Sequence, residues 1–160
     1  MIETVPLNIF CAADVDMLLD NAFGYDRHKR TAYLLRQGML VIDHLSFAAT
    51  DRGILVGSIQ CWPVAIAGVP LILVGPVAVS PERQKQGIGK MLVNKALNAI
   101  VPADQPMVMI GDPEYYSRFG FVADETRGWT LPGPWERHRL LLRNPKRIQL
   151  PSVGLLGPHL

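Results

Sequence analysis

The residues best suited to chemistry sit in one short connection, Gln84-Lys85-Gln86-Gly87-Ile88-Gly89-Lys90. An apolar, β-branched run from Leu71 to Val79 precedes it, and Ser80-Pro81-Glu82 ends that run. An amphipathic stretch to Ile100 follows. The pattern predicts a strand buried on both faces, a tight loop and a long helix. The first turn of a helix has unpaired N–H groups and the positive end of the helix dipole. Glycines at 87 and 89 let an anion approach that backbone closely, and Lys85 and Lys90 add positive charge. The chemistry predicted is anion binding, with phosphate as the natural guest.

Two common phosphate fingerprints fail here. The dinucleotide pattern G-x-G-x-x-G requires Gly or Ala where Leu92 stands, and the G-x-x-x-x-G-K-[ST] loop requires Gly at 84 and Ser or Thr at 91, where Gln84 and Met91 stand. What Gln84-x-x-Gly87-x-Gly89 resembles is the pyrophosphate loop [RQ]-x-x-G-x-[GA] of the GNAT superfamily of N-acetyltransferases. The preceding P-V-A-V-S-P (76–81) and the amphipathic run after the loop strengthen the likeness. A second stretch, Gly111-Asp112-Pro113-Glu114-Tyr115-Tyr116-Ser117-Arg118-Phe119-Gly120-Phe121, resembles that family's Y-x-x-x-G-F segment. Its longer form, G-D-P-x-Y-Y-x-R-F-G-F, resembles one subgroup of predicted N-acetyltransferases. The likeness spans about Val5 to Leu142, and it is specific at 76–92 and 111–121.

The resemblance implies a fold, a co-substrate and site residues. The fold is α+β, with a mixed, mostly antiparallel sheet of about seven strands flanked by helices, its fourth and fifth strands splayed apart. Gly75-Pro76 offers a local reason for the splay, since proline cannot donate to a ladder and the glycine permits a bulge. The co-substrate is acetyl-coenzyme A, held by Val77, Ala78 and Val79 of the fourth strand and by Gln84, Lys85, Gln86, Gly87, Ile88, Gly89 and Lys90 of the loop. The Val79 N–H, or a neighbouring one, is the expected oxyanion donor. Tyr116 is the expected general acid for the leaving thiolate, with Tyr115 its rival; packing aromatics with solvent-reaching hydroxyls are the ordinary alternative.

The chain departs from the family in two places. No Glu stands on the fourth strand, so Asp43, His44, Asp112 and Glu114 all stay open as bases, each with an ordinary structural role as a turn, cap or dipole partner. Gly111-Asp112-Pro113 stands where relatives carry an Asn. The activity implied is transfer of an acetyl group to a primary amine by direct attack in a ternary complex, with a small-molecule or peptide acceptor. A coenzyme A-binding sensor or docking module without transferase activity is the alternative, motivated by the missing strand glutamate.

At 160 residues, 49% hydrophobic and 19% charged, the chain is expected to form a single domain with a real core. A net charge of +2 with no basic run interleaved with aromatics gives no sign of a nucleic-acid partner. Cys11 and Cys61 are isolated, and reduced buried thiols are expected at both. His28, His138 and His159 are scattered, so no metal is expected. MIETVPLNIF lacks a basic region followed by an apolar core, which predicts a cytoplasmic chain, monomeric or homodimeric. The uncharged stretch from Gly53 to Pro81 is interrupted by Gly57, Pro63, Gly68, Pro70, Gly75 and Pro76, so it predicts strands and turns rather than a membrane helix.

The remaining elements follow from pattern. Val5 to Phe10 predicts a strand, and Asp14 caps a helix of Val15, Leu18, Leu19, Ala22 and Phe23 ended by Gly24. Asp26 to Gln37 predicts a second helix, closed by Gly38, whose Arg27, His28, Lys29 and Arg30 form a solvated face or contact an acidic substrate or the coenzyme 3′-phosphate. Asp43 to Thr50 and Ile54 to Ala67 predict a hairpin around Asp51-Arg52-Gly53. In the helix after the loop, Ile88, Met91, Leu92, Lys95, Ala96 and Ala99 share one side. Pro106 to Ile110 and Arg137 to Leu142 predict strands, Pro113 to Phe119 a short helix, and Phe121 the start of a strand. Trp62, Trp129 and Trp135 are core aromatics or the lining of an acceptor pocket. From about Asn144 to Leu160 the chain reads as an irregular tail.

Overall fold

The structure is a computed structural model describing residues 1–100 and 105–159. The strands are β1 (Ile2–Pro6), β2 (Phe47–Asp51), β3 (Ile54–Ile66), β4 (Val69–Val79), β5 (Met107–Ile110), β6 (Gly128–Thr130), β7 (Leu140–Arg143) and β8 (Val153–Pro158). The α-helices are α1 (Ala12–Phe23), α2 (Thr31–Leu35), α3 (Ile88–Ala99) and α4 (Pro113–Tyr116). The sheet order is β1-β2-β3-β4-β5-β7, with β8 on β3 and β6 on β8. The expected mixed sheet is present, with eight strands rather than about seven. Antiparallel pairs are β1–β2, β2–β3, β3–β8 and β5–β7; β4–β5 and β6–β8 are parallel. β5 registers with β4 at Ile72 and Leu73, just ahead of Gly75 at φ +126, as suits two strands that splay.

The uncharged stretch is therefore a hairpin, β3 and β4. Its turn, Ala67-Gly68, and the β2–β3 turn, Arg52-Gly53, both place two successive residues at positive φ. That backbone matches the right-handed twist of the flanking strands. Among the described residues no helix is long and apolar enough to cross a membrane.

The chain forms two compact units, and β3 and β4 contribute to both. The first holds β1, α1, β2, β3 as far as Cys61, β4 from Pro76, and α3. Its core joins Leu7, Val15, Leu18, Leu19, Ala48 and Ala78. The helix pattern of α1 is therefore read correctly, although Cys11 is the N-cap residue and Asp14 lies in the first turn. The buried face of α3 is Ile88, Leu92, Val93 and Ala96, turned slightly from the expected stripe: Met91 is exposed, and the Lys95 ammonium lies 5.5 Å from the Phe47 ring centre. The second unit holds α2, the rest of β3 and β4, and β5 to β8 with α4. Trp129 lies in its core with Leu35, Val64, Leu73, Val108 and Leu142.

Several local expectations are corrected, among them the strand expected from Asp43: Asp43–Leu45 forms a 3-10 turn and β2 starts at Phe47. The first strand lies earlier, at Ile2–Pro6, and Leu7–Ile9 forms a 3-10 turn. The second helix shrinks to Thr31–Leu35, with Arg27–Lys29 a separate 3-10 turn before it, and Arg27 is not a solvated cation. It is 2% exposed, and its guanidinium donates to Asp20 at 2.9 Å and Asp16 at 3.1 Å on α1. Phe121 starts no strand; Val122 makes a single bridge to Leu142. The tail is not irregular throughout, since β8 pairs with β3 and β6; Leu160 lies outside the described residues. In the tail, a Cβ on Gly154 would lie 3.3 Å from Ile66 Cδ1. Outside it, a Cβ on Gly128 would collide with the Ser152 carbonyl, so that glycine allows the close backbone approach of β6 to the tail. Cys61 is fully buried, and that burial pushes its thiol up to about 12; Cys11, against expectation, is exposed.

Candidate functional site

In the first unit, the end of β4 and the start of α3 are seated together. Ala78 points into the core at 1% exposure, so Val77 and Val79 project from the opposite face of the strand. Gly89 lies against those two side chains: a Cβ there would sit 3.9 Å from both Val77 Cγ1 and Val79 Cγ2. Gly57 on β3 makes the seating possible. A Cβ at 57 would meet Ile88 Cγ2 at 2.9 Å, Leu92 Cδ1 at 3.1 Å and the Ala78 carbonyl at 3.2 Å. The sequence gives one faint signal for Gly57, a glycine inside a strand pattern, which marks close approach.

The connection itself is held from its near side. The Ser80 N–H donates to the Val56 carbonyl at 2.9 Å, and Pro81–Arg83 forms a 3-10 turn. Arg83 Nη2 donates to Asp51 Oδ2 at 2.8 Å and its Nε to Gln86 Oε1 at 3.2 Å. Asp51 also accepts from the Met1 ammonium at 3.2 Å. The Arg83 hydrogen bond, and then that of the amino terminus, hold the Asp51 carboxyl below the usual carboxylate range. Sequence reasoning missed Arg83 and saw Asp51 only as a turn residue, because the pairing depends on two turns distant in sequence.

Beyond this brace the loop is open. Lys85 has φ +64, and Gly87 has φ +81 as the N-cap of α3. No atom lies within 4 Å of where a Gly87 Cβ would be. The Met91 N–H closes the first helical turn on the Gly87 carbonyl at 3.0 Å. Helix geometry leaves the N–H groups before it without intrahelical partners. Gln84, Lys85, Gln86 and Lys90 are exposed, and the Gln84 amide lies 3.5 Å from the Val79 carbonyl. Ile88 can offer only its backbone, because its side chain is buried. The structure thus gathers Val77 to Val79 and Gln84 to Lys90 around one helix start: a positively polarised, glycine-lined cradle with flanking lysines. Its donor set fits a phosphate or pyrophosphate.

The tyrosine segment belongs to the second unit. The Asp112 carboxylate caps the helix by accepting from the Glu114 N–H at 3.0 Å, and the Tyr116 N–H donates to the Asp112 carbonyl at 2.9 Å. Pro113 at the first helical position suits that turn. Gly120, at φ +89, ends the segment with its N–H on the Ser117 carbonyl at 3.0 Å, and Arg143 Nε donates to the Phe119 carbonyl at 3.0 Å. The two tyrosines differ. Tyr115 meets Tyr116 edge-on at 4.9 Å between centroids and carries the Arg118 guanidinium at 4.3 Å from its ring centre. Tyr116 is half-buried, and burial pushes its phenol up to about 12; Tyr115 and Asp112 add to the rise and Arg139 opposes it.

Asp112 works as a cap, Glu114 is exposed in the first turn, and Asp43 and His44 lie on a 3-10 turn before β2. Trp129 is core, its indole N–H on the Pro151 carbonyl at 2.8 Å. Trp62 and Trp135 are half-buried, and Arg36 lies 4.1 Å over the Trp62 ring. Among the described residues no cluster of His, Cys, Asp and Glu could hold a metal.

A family profile described as an acetyltransferase (GNAT) domain matches residues 43–123. An uncharacterized N-acetyltransferase of Escherichia coli (strain K12), YhbS, is 33% identical over 114 residues, 69% of this chain and 67% of that protein. Two crystal structures share the fold at 24% identity. One is YhbS from Escherichia coli in complex with CoA, with a TM-score of 0.73 over 99% of this chain and 89% of that one. The other is a GNAT family acetyltransferase from Brucella melitensis in complex with acetyl-CoA, with a TM-score of 0.71 over 99% and 96%. Naa50 of Arabidopsis thaliana, solved with the bisubstrate analogue CoA-Ac-MVNAL, is 16% identical with a TM-score of 0.56 over 88% of this chain and 95% of that one.

Proposed function

The chain belongs to the GNAT acetyltransferase family, and on that premise we propose that it transfers the acetyl group of acetyl-coenzyme A directly to a primary amine in a ternary complex. The observation that carries the reading is the cradle at the start of α3. Gly87 holds a left-handed conformation with open space above it, and Gly89 lies against Val77 and Val79. Backbone N–H groups of the loop and first turn bind the pyrophosphate, and Lys85 and Lys90 add long-range attraction. Val77 to Val79 hold the arm that carries the thioester, and the Val79 N–H stabilises the oxyanion that develops as the amine attacks.

The bonds then balance simply. A C–N bond forms, the C–S bond breaks, the amine's surplus proton passes to a base or water, and the sulfur takes a proton. Tyr116 supplies that last proton. A phenol near 12 is fully protonated at neutral pH and donates a hydrogen bond at once. An ordinary thiol has a pKa of about 8.5, so complete transfer also requires desolvation to raise the basicity of the sulfur. The acceptor is a small-molecule or peptide amine.

Calorimetry with coenzyme A tests the cradle: binding is expected, and no heat or thermal shift at millimolar ligand would sink the reading. A panel of primary amines, followed by thiol release from acetyl-coenzyme A, tests the transfer. Binding without turnover on any amine would leave a coenzyme A-binding module instead.

A further inference from the structure

Gly111 ends β5 with its N–H on the Arg139 carbonyl at 2.9 Å, and it is buried. Its φ is not positive, so no backbone conformation demands glycine there. Space demands it. A Cβ at 111 would lie 2.7 Å from Tyr116 Cε2, 2.8 Å from Cδ2 and 3.7 Å from Cζ. The Cδ2–Cε2 edge of the Tyr116 ring occupies the place of a side chain at 111.

The local chain explains why the ring arrives there. The Asp112 cap and the bond from Tyr116 N–H to the Asp112 carbonyl close a single helical turn. Helical side chains lean toward the N-terminus of their helix, so residue 116 covers the turn before its own Cα and the residue preceding the cap. That residue is Gly111. With Tyr115 edge-on to the ring and Phe119 at 6.2 Å, the platform leaves the ring little freedom.

We infer that Gly111 is a positioning residue for Tyr116: its missing side chain is the platform that fixes the ring and thereby aims the phenol hydroxyl. The inference rests on the reading of Tyr116 as the acid. A side chain at 111 must displace the ring, and the hydroxyl with it. The titratable and charged groups that act on that hydroxyl are Tyr115 and Asp112, which raise its pKa beyond the effect of burial, and Arg139, which lowers it.

The test compares wild type, Gly111→Ala, Tyr116→Phe and the double variant. Tyrosine ζ-carbon NMR, assigned by the loss of the Tyr116 signal in Tyr116→Phe, follows ionisation of the phenol without any ligand. Gly111→Ala is expected to bring Tyr116 ionisation down by about one pH unit or more, as the ring regains water. Thiol release from acetyl-coenzyme A, with the best amine of the panel, should fall by about tenfold or more in Gly111→Ala. The KM for acetyl-coenzyme A should hold. Adding Gly111→Ala to Tyr116→Phe should cost no further turnover, because Gly111 acts through the hydroxyl.

An unchanged titration, or an equal loss of turnover in both backgrounds, would overturn the inference. If Gly111→Ala fails to fold, Gly111→Ala/Tyr116→Leu decides: recovery of the fold supports the platform, and continued failure overturns it. The two readings fail separately. Normal turnover in Tyr116→Phe removes the acid role while leaving the titration shift to be seen; a large loss in Tyr116→Phe with a silent Gly111→Ala removes only the positioning.

Discussion

Gly87 and Gly111 are glycines for opposite reasons. Gly87 is left-handed at φ +81 with nothing within 4 Å of a would-be Cβ. Gly111 has no positive φ, and a ring at 2.7 Å fills the place of its side chain. The first glycine keeps a space vacant for something outside the protein; the second yields its space to the protein's own catalytic candidate. Room left open beside unpaired N–H groups points to a ligand, whereas room already filled points to internal aim.

The largest effect should come from filling the open space. Gly87→Glu puts bulk and negative charge where the pyrophosphate is proposed to sit, so coenzyme A binding should become undetectable by calorimetry. The fold should persist, at a cost of about 1 kcal/mol for a side chain at positive φ. Wild-type affinity in this variant would move the anion site elsewhere.

Next in size is removal of the group that Gly111 carries. Tyr116→Phe keeps the ring on its platform, so folding and coenzyme affinity should barely change while turnover falls roughly 10²–10⁴-fold. Near-normal turnover would make Tyr116 a packing residue. Tyr115→Phe should do less, since neighbouring helical residues point about 100° apart.

The same hydroxyl predicts an alkaline effect on stability. Its folded pKa is raised from 10.0 to about 12, so the neutral form is favoured in the folded state. The contribution is fully present below pH 10, where neither state ionises, and is lost as pH rises through 12. Melts of wild type and Tyr116→Phe should therefore lie parallel at neutral pH, with wild type losing more above pH 10. Parallel curves throughout would mean that the phenol is as hydrated in the fold as outside it.

The smallest change probes a third kind of glycine, one packed beneath a helix. Gly57→Ala presses on Ile88 Cγ2 at 2.9 Å, on Leu92 Cδ1 at 3.1 Å and on the Ala78 carbonyl at 3.2 Å; Ile88 is β-branched and held near one rotamer in the helix. A loss of about 1–3 kcal/mol in denaturant melts is expected, with modestly weaker coenzyme A binding as the start of α3 shifts. Unchanged stability would mean that α3 is not seated on β3 at this point.

The sequence by itself determined what depends on neighbouring residues. The strand, loop and helix around Gln84 to Lys90, the two hairpin turns and the capped turn at Asp112 all follow from local backbone preference and hydrophobic period. Those preferences act over a few residues, so a pattern can reveal them. Only the tertiary structure decided what depends on partners far along the chain. Arg27 reads as one of four polar cations in a row, until Asp16 and Asp20 of α1 neutralise and bury it. β6 and β8 carry glycines and a proline that signal loops, yet they form a parallel pair because a bare Gly128 lets the two backbones meet. On α3 the buried stripe includes Val93 rather than Met91, and its Ile88 and Leu92 pack over Gly57 of β3, far earlier in the chain. In the tyrosine segment the family resemblance offered Tyr116, with Tyr115 its rival, as the expected proton donor. The ring's place over Gly111 came only from folding the single turn back onto the end of β5, because what crowds a Cα is set by packing in three dimensions.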